Sequence, residues 1–361
     1  MTWIPLLLAD PSPCLRLLVL RHLLGRPEDD PEVRELAGLR ESDPLAADLL
    51  ARQAPVGPLP PSSSPCNGEK RANGSWKSGD PAWVVSGGDL RATSLALVRL
   101  GYLGFGPDHP AVQRGAEYLY AAQRQDGAWP LPADREEGEQ REGYTMVPLQ
   151  TAMPLRGLAT CGYATDPRSE RAYDWLLAQR LPDGAWPTGI ASGSYGRVGG
   201  YRRLAHSRWG CRSNTTGAAI CLALHPQRRT GAEARRALDL LLGRETREAH
   251  TLGYEVARLI GAEPARGFFT FFARFDLGLI LDLCWRIGAT RDDARVAELA
   301  EFVRGLQGPY GLWEYTAHPQ VSRWVSFDLL RSLSRLDEAG DWLSLEPRTP
   351  FRAYAPKIKR F

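Results

Sequence analysis

The chain has 361 residues, of which 43% are hydrophobic and 24% are charged, and its formal net charge at pH 7 is only +3. A chain of this length and composition forms a globular structure with a large core, which excludes extensive disorder over most of it. The basic residues are almost all Arg and are spread along the sequence, whereas a nucleic-acid-binding protein usually concentrates them in one patch. We therefore expect no nucleic-acid partner.

The six cysteines include no C-x-x-C pair, so the sequence predicts neither a disulfide framework nor a structural zinc site. Residues 1–14 lack a basic region, and Asp10 interrupts their apolar run, so we expect no secretory signal. No stretch reaches the roughly 20 apolar residues of a membrane helix. These features predict a cytoplasmic protein without a cofactor, and they leave peripheral contact with a membrane open.

Two kinds of helix alternate along the chain, separated by Gly and Pro turns, and strands are hardly predicted. The apolar helices are predicted at residues 13–24, 90–103, 147–161, 215–224, 276–287 and 326–336. The amphipathic helices are predicted at residues 31–39, 44–52, 110–123, 167–179, 231–242 and 292–306. Because only the first set is apolar around most of its circumference, we expect it to form an inner ring inside an outer one. The predicted fold is one all-α domain, an (α/α) toroid of about six helical hairpins over residues 1–361.

A Gln followed by Gly-x-Trp ends four of the amphipathic helices. Gln side chains can satisfy backbone groups at a helix end, Gly permits a tight turn, and Trp buries a large surface against the next repeat. The amphipathic helix at residues 231–242 has no copy at its end, where "GRETREAHTLGY" replaces the turn. The four pairs are Gln53 and Trp76, Gln123 and Trp129, Gln179 and Trp186, and Gln307 and Trp313.

The first of these pairs is interrupted by a Pro/Ser-rich insert. Gln53 and Trp76 are 23 residues apart, whereas the other pairs are separated by six or seven. Removing residues 56–72 restores a spacing of six. We interpret the insert as a surface loop, and a functional lid is the alternative.

These turns resemble the QW repeats of squalene-hopene cyclases and related terpene cyclases, whose (α/α) toroid is similar to that of protein prenyltransferase β subunits. The resemblance runs through nearly the whole chain. It implies an isoprenoid-handling enzyme that holds an apolar chain, such as a polyprenyl diphosphate or a triterpene, in a central cavity.

The resemblance also implies a D-x-D-D-T motif at the start of an inner helix, where a neutral carboxylic acid protonates an alkene. Residues 89–93 read D-L-R-A-T, so Asp89 and Thr93 match, but Arg91 occupies the donor's position. A guanidinium stays charged and cannot be that acid. The same stretch resembles the D-V-R segment of prenyltransferase β subunits, whose Arg helps to hold the diphosphate. The structural alternative is an N-cap at Asp89 and a solvated Arg91 in the first turn.

The prenyltransferase relatives also imply a zinc site with a D-x-C pair and a His. Asp276 matches the Asp, but Gly278 stands where Cys is required, and His318 precedes the last inner helix instead of opening it. We therefore predict no catalytic metal. Cys284 is expected to be a buried core thiol.

A Gly-rich loop before the fourth inner helix carries several arginines, among them Arg202, Arg203 and Arg208. It should lie at the ring end where the inner helices begin, beside the positive ends of their dipoles. An anionic head group such as a diphosphate would bind there. The alternative is a solvated loop whose arginines pair with the acidic residues 134–142. Aromatic residues expected at the same end could stabilise carbocations or merely fill the ring: Tyr144, Tyr195, Tyr201, Trp209, Phe268, Phe269, Phe271, Phe272, Phe275 and Trp324.

The candidate acids are Asp276, Asp282 and Asp89. Asp276 and Asp282 are rotated by about 240° on one helix and cannot face the same point. The expected substrate contacts are Arg91, Tyr144, Arg202, Arg203, Arg208, Trp209 and Trp324. A non-catalytic toroid that binds lipids or proteins is the alternative function. A glycan-active toroid is a third hypothesis, and it requires two carboxylates across one cleft.

Overall fold

The computed structural model describes residues 3–55, 74–77, 88–129, 148–187, 204–243, 250–265 and 271–337. The predicted insert at 56–72 lies outside these ranges. The first seven described helices are α1 (Trp3–Leu8), α2 (Pro13–His22), α3 (Pro31–Leu39), α4 (Pro44–Ala51), α5 (Gly88–Tyr102), α6 (Pro110–Ala121) and α7 (Pro148–Thr160). The other seven are α8 (Pro167–Ala178), α9 (Arg212–Leu224), α10 (Ala232–Leu242), α11 (Tyr254–Leu259), α12 (Leu277–Ile287), α13 (Ala294–Gly305) and α14 (Ser322–Leu336).

The helices divide into an inner and an outer set, as the periodicity predicts. In the inner helices α7 and α9 nearly every residue is buried, whereas the outer helix α8 buries only one face. The inner helices contact one another in the order α5, α7, α9, α12 and α14, and α14 also contacts α1 and α2. The all-α toroid fold is therefore confirmed. No described helix is long and apolar enough to cross a membrane.

Several outer helices begin at an Asp-Pro pair, which explains where they start. Asp30, Asp43 and Asp166 are N-caps whose carboxylates accept hydrogen bonds from the first free backbone N–H groups. Proline follows each of them, at a position where the missing N–H has no helical partner. The sequence thus fixes these helix starts locally.

Two inner helices, α5 and α7, approach each other closely because glycine faces the contact. A Cβ at Gly101 would lie 2.6 Å from Cγ2 and 2.7 Å from the carbonyl oxygen of Thr160. A Cβ at Gly157 would lie 2.8 Å from the carbonyl oxygen of Ser94. Any larger residue at these positions would force the helices apart.

Each Trp of the four turns joins an outer helix to the inner helix that follows it. The four rings are 1% exposed or less. Each indole N–H donates, at 2.7 Å, to a carbonyl in the last turns of the preceding outer helix, those of Leu49, Leu119, Leu176 and Val303. Each Trp backbone N–H donates to a hydroxyl of the next inner helix, those of Thr93, Thr151, Thr215 and Ser326. These bonds satisfy a helix-end carbonyl and a buried N–H together.

The Gln side chains extend this connection to the next outer helix. Gln123 donates to the carbonyl of Gly127 in its own turn and to that of Arg168 in α8, both at 2.9 Å. Gln53 donates in the same way to Gly74 and to Ala111 of α6. Gln53 also forms an antiparallel bridge with Trp76, so the two described residues that flank the insert lie together in one turn.

The hydroxyl acceptors of these turns can be tested with Thr215→Val. The variant keeps the shape of the side chain but leaves the backbone N–H of Trp186, now 3.0 Å from Oγ1, buried without an acceptor. We expect a loss of about 1–3 kcal/mol in the free energy of unfolding, measured by chemical denaturation. The control is Thr216→Val at the next, equally buried position. An equal loss in both variants would contradict this role of the Thr215 hydroxyl.

The segment without a Gln–Trp turn has a structure that the sequence did not predict. Strand β1 (His250–Thr251) pairs in parallel with β2 (Phe275–Asp276), and α11 follows β1. All six residues of α11 are buried, and the helix contacts α5 on one side and α12 and α14 on the other. A short helix therefore occupies the space between the inner helices where the repeat has diverged.

Candidate functional site

A cavity of about 70 Å³ lies between α11 and the inner helices α5, α7, α9, α12 and α14. From α5, α7 and α9 it is lined by C-terminal residues, so it lies toward the end of the ring where these helices finish. One part of its wall is aliphatic, with Val98, Ile220, Ala223, Leu224, Val256, Leu259, Leu279 and Leu283. The rest is polar, with Tyr102, Arg156, Thr160, Glu255, Asp282, Arg286, Asp328 and Arg331.

Two carboxylates of this wall, Asp282 and Asp328, share one guanidinium. Nη2 of Arg331 donates to Oδ1 of Asp282 at 3.2 Å and, in a shorter hydrogen bond, to Oδ1 of Asp328. Asp282 also accepts hydrogen bonds from Nε1 of Trp285 at 3.0 Å and from Nε of Arg286 at 2.7 Å. Asp282 therefore accepts more hydrogen bonds from protein groups than Asp328 does.

The pKa values of the two carboxyl groups move in opposite directions. Burial raises the pKa of Asp328 to about 6, and the negative charge of Asp282 adds to the rise while Arg331 opposes it. Burial acts on Asp282 too, but Arg286 and Arg331 outweigh it and hold its pKa below the usual range. As the pH falls, Asp328 is the member of the pair that takes up a proton first.

A second group of buried charges holds α11 in place. Glu255 accepts a hydrogen bond from Nη1 of Arg156 at 2.6 Å and a shorter one from Nη2 of Arg258. Arg258 also donates to the carbonyl of Phe271, and its guanidinium lies 3.7 Å from the centre of that ring. Burial alone would raise the pKa of Glu255, but the two guanidinium groups keep it below its usual range. The ion pairs connect α11 to α7 across 99 residues of sequence.

These ion pairs predict that Glu255→Gln destabilises the protein strongly. The variant leaves Arg156 and Arg258 buried without their counter-charge, and we expect a loss of about 3–5 kcal/mol in the free energy of unfolding at pH 7. Because the pKa of Glu255 is depressed, its contribution is complete above its unfolded pKa and is lost as the pH falls through the folded value.

The control is Glu117→Gln, since Glu117 forms an exposed pair with Arg168 at 3.1 Å. We expect that variant to lose less than about 1 kcal/mol. Denaturation curves of both variants at pH 7 and at acidic pH measure the difference, and equal losses at pH 7 would contradict the role assigned to Glu255.

Asp276, a predicted acid, caps two helices instead of lining the cavity. Its carboxylate accepts hydrogen bonds from the backbone N–H groups of Gly253, Glu255 and Leu279 at 3.3, 3.0 and 3.1 Å. Burial raises its pKa although these hydrogen bonds oppose the rise. The contacts give Asp276 a structural role at the starts of α11 and α12, and its catalytic role stays a prediction.

Asp89 and Arg91 lie in the first turn of α5, far along this helix from the cavity-lining Tyr102. Asp89 forms an ion pair with Lys77 at 3.1 Å, and its side chain is 29% exposed. Arg91 is fully buried, and burial lowers its pKa to about 9. The interpretation of Arg91 as a solvated residue is therefore wrong, because α5 is an inner helix in which every residue from Arg91 to Val98 is buried. The Thr93 hydroxyl accepts a hydrogen bond from the backbone N–H of Trp76.

The other predicted substrate contacts that the structure describes do not line the cavity. Arg208 and Trp209 are exposed before α9, with the guanidinium 4.8 Å from the ring centre. Trp324 is buried in α14 and packs against Tyr102, with 5.9 Å between ring centres. Of all the predicted site residues that the structure describes, only Asp282 lines the central cavity. Three further ones lie outside the described residues, namely Tyr144, Arg202 and Arg203.

Three of the predicted aromatic residues, Phe271, Phe272 and Phe275, belong to the core beside α11. Phe271 and Phe272 meet edge to face with ring centres 4.8 Å apart, and both are buried, as is Phe275. Arg212 lies over Phe275 and donates to the carbonyl of Ala273 at 2.9 Å. These aromatic side chains fill the interior of the toroid, which was one of the two interpretations. Phe268 and Phe269 lie outside the described residues.

Cys284 is a core thiol, as expected. It is fully buried, and burial raises its pKa. Five cysteines of the described ranges are free and buried. Within the same ranges, no group of three His, Cys, Asp or Glu side chains is arranged to hold a metal ion.

Sequence reasoning missed Asp328, although a signal for it exists. Asp328 and Arg331 interrupt an otherwise apolar inner helix at "WVSFDLLRSL", and their spacing of three places them on one face. A charged pair within an apolar stretch of an inner helix indicates a buried polar site. The short α11 and its ion pairs had no comparable signal.

The matched part of the chain points to one family. Residues 67–199 match the sequence model of the squalene-hopene cyclase C-terminal domain. A squalene-hopene cyclase from Zymomonas mobilis is 26% identical over 151 residues, which cover 39% of this chain. The matched region spans about 20% of the length of that relative.

Solved structures of similar chains include a type II terpene cyclase from Scytonema in complex with geranylgeranyl dihydroxybenzoate. It is 13% identical, with a TM-score of 0.34, and the match covers 84% of this chain and 98% of the other. A protein from Actinoplanes is 14% identical, with a TM-score of 0.30 and a coverage of 83% and 99%.

Proposed function

We propose that this squalene-hopene cyclase-like chain binds an isoprenoid among its inner helices, with the apolar chain against the aliphatic wall of the central cavity and an anionic head group at its arginines. One observation carries the proposal: a single cavity joins eight aliphatic side chains to Arg156, Arg286 and Arg331. Such a wall suits a ligand with an apolar body and a charged or polar end.

The size of the cavity sets a condition on binding. At about 70 Å³ it is smaller than the ~150 Å³ cavity that admits benzene, so it holds only the end of an isoprenoid chain. A longer ligand requires α11 to move, because Val256 and Leu259 of that helix form part of the wall. A six-residue helix has little stability of its own. Its position therefore depends on Glu255 and on the Asp276 cap.

The charges of the cavity favour an anion when Asp328 is protonated. With Glu255 and Asp282 ionised, three guanidinium groups then face two carboxylates. Arg286 keeps 23% of its side-chain surface exposed. It is therefore the most accessible of the three arginines to a head group. Arg91, Arg202, Arg203 and Arg208, with Tyr144, Trp209 and Trp324, stay proposed contacts for the ring end where the inner helices begin.

The proposed chemistry is the proton-initiated cyclisation that the resemblance implies. Asp89 is poorly suited as the acid, because its side chain is partly exposed and already forms an ion pair with Lys77. Asp276 is saturated by backbone donors. A buried carboxyl group that faces aliphatic side chains can hold a proton near neutral pH. The cavity contains two buried carboxyl groups, Asp282 and Asp328, whose pKa values move in opposite directions.

Thermal-shift measurements with geranylgeranyl diphosphate, squalene and inorganic diphosphate, followed by product analysis, test the proposed function. We expect both isoprenoids to raise the Tm of the full chain, and inorganic diphosphate to have a smaller effect. Absence of stabilisation by both isoprenoids, together with absence of turnover, would contradict the proposal and favour a non-catalytic role.

Arg286→Gln tests the head-group contact. Because a neutral hydrocarbon does not need the guanidinium, we expect this variant to reduce the thermal shift with geranylgeranyl diphosphate and to leave the shift with squalene unchanged. The control is Arg291→Gln, which removes an exposed arginine paired with Glu301 and Asp337. Equal shifts in the two variants would place the head group elsewhere.

A further inference from the structure

We propose that Asp328 is the proton donor of the central cavity and that Asp282 is its ionised partner. The inference rests on the proposed function and names the acid of that same site. It differs from the sequence expectation, which placed the candidate acids at Asp89, Asp276 and Asp282.

The hydrogen bonds make the two carboxyl groups unequal. Asp282 accepts hydrogen bonds from Trp285, Arg286 and Arg331, whereas Asp328 accepts one from Arg331 alone among the described residues. Hydrogen bonds to a carboxylate favour its charged form. Asp282 is therefore the group that stays ionised, and its charge disfavours a second negative charge on the same guanidinium.

The pKa directions agree with this assignment. Burial raises the pKa of Asp328, and Asp282 adds to the rise, while the pKa of Asp282 itself is lowered by Arg286 and Arg331 against the effect of burial. In a pair of carboxyl groups whose pKa values are driven apart, the group with the higher pKa can act as the acid while the other stays an anion.

Groups on the neighbouring helices maintain this state. Asp276, the N-cap of α12, raises the pKa of Asp328 further, and Arg286 of α12 lowers it. On α5, Tyr102 lines the cavity, and burial and Asp328 raise its pKa, so it stays a neutral hydroxyl. On α11, Glu255 lines the cavity with its charge held by arginines. On α2, His22 lies beside Phe327, with 6.4 Å between ring centres.

The proposed step is a proton transfer that needs no co-reactant. The O–H bond of Asp328 breaks as the alkene π pair forms a C–H bond with its proton, which leaves a carbocation and an Asp328 carboxylate beside Arg331. After cyclisation, a carbon adjacent to the new cation loses a proton to that carboxylate, and its C–H electron pair becomes the new double bond. The net reaction is an isomerisation, and Asp328 ends as the acid again.

Infrared difference spectra of the full chain, recorded as the pH is raised from 5 to 8, test the protonation itself. We expect the C=O band of a protonated carboxyl group to disappear with a midpoint near pH 6. Asp328→Asn should remove the band, Asp328→Glu should retain one, and Asp282→Asn should move the midpoint to lower pH. The control Asp174→Asn changes a largely exposed residue and should leave the band unchanged. A band that persists in Asp328→Asn, or no titrating band in the unaltered chain, overturns the proposal.

Activity measurements test the donor role. Asp328→Asn should keep the thermal shift with squalene but lose turnover by about 100-fold or more, Asp328→Glu should recover part of it, and turnover of the unaltered chain should rise as the pH falls through about 6. Turnover that is unchanged in Asp328→Asn, or binding without turnover in the unaltered chain, overturns the donor role. Failure of the unaltered chain to bind any isoprenoid overturns the proposed function instead, and the infrared titration separates that outcome from a failure of the Asp328 assignment.

Discussion

The fold depends on a tryptophan that is hydrogen-bonded on both sides. In each Gln–Trp turn the indole N–H donates a hydrogen bond to a carbonyl near the end of the outer helix. The backbone N–H of the same Trp donates to a hydroxyl near the start of the next inner helix. Every contact is between groups that would otherwise be buried without a partner, so the cost of breaking it is larger than the value of one exposed hydrogen bond. The repetition of this connection sets the inner helices side by side and so defines the space that they enclose.

Where the connection is missing, the chain uses another device. Asp276 replaces a turn by capping α11 and α12 together, and the pairing of β1 with β2 brings the two segments to it. The result is a short helix inside the toroid. Packed aromatic side chains lie on one side of this helix, and the small cavity lies on the other. The segment in which the repeat has diverged thus also forms part of the wall of the candidate site.

The candidate site is a group of charges in surroundings that penalise charge. Burial of Asp328, Asp282 and Glu255 is tolerated because each accepts a hydrogen bond from at least one guanidinium. For Asp282 and Asp328, the unequal number of donors decides which carboxyl group holds a proton more readily. The same arginines that stabilise these anions are the groups that an anionic ligand would contact. In the proposed function, binding, protonation and the position of α11 would therefore be coupled through a few side chains.

The sequence by itself determined most of the helices, their inner or outer position and the Gln–Trp turns, because periodicity, caps and turn residues act over a few neighbouring positions. It also supplied Asp282 as a candidate. Only the tertiary structure decided that Arg91 is buried, that Asp276 is a cap and that Asp328 joins Asp282. These facts depend on pairs such as Asp282 with Arg331, 49 residues apart, and Arg156 with Glu255, 99 residues apart. Burial and charge pairing are set by distance in space, which no local pattern encodes.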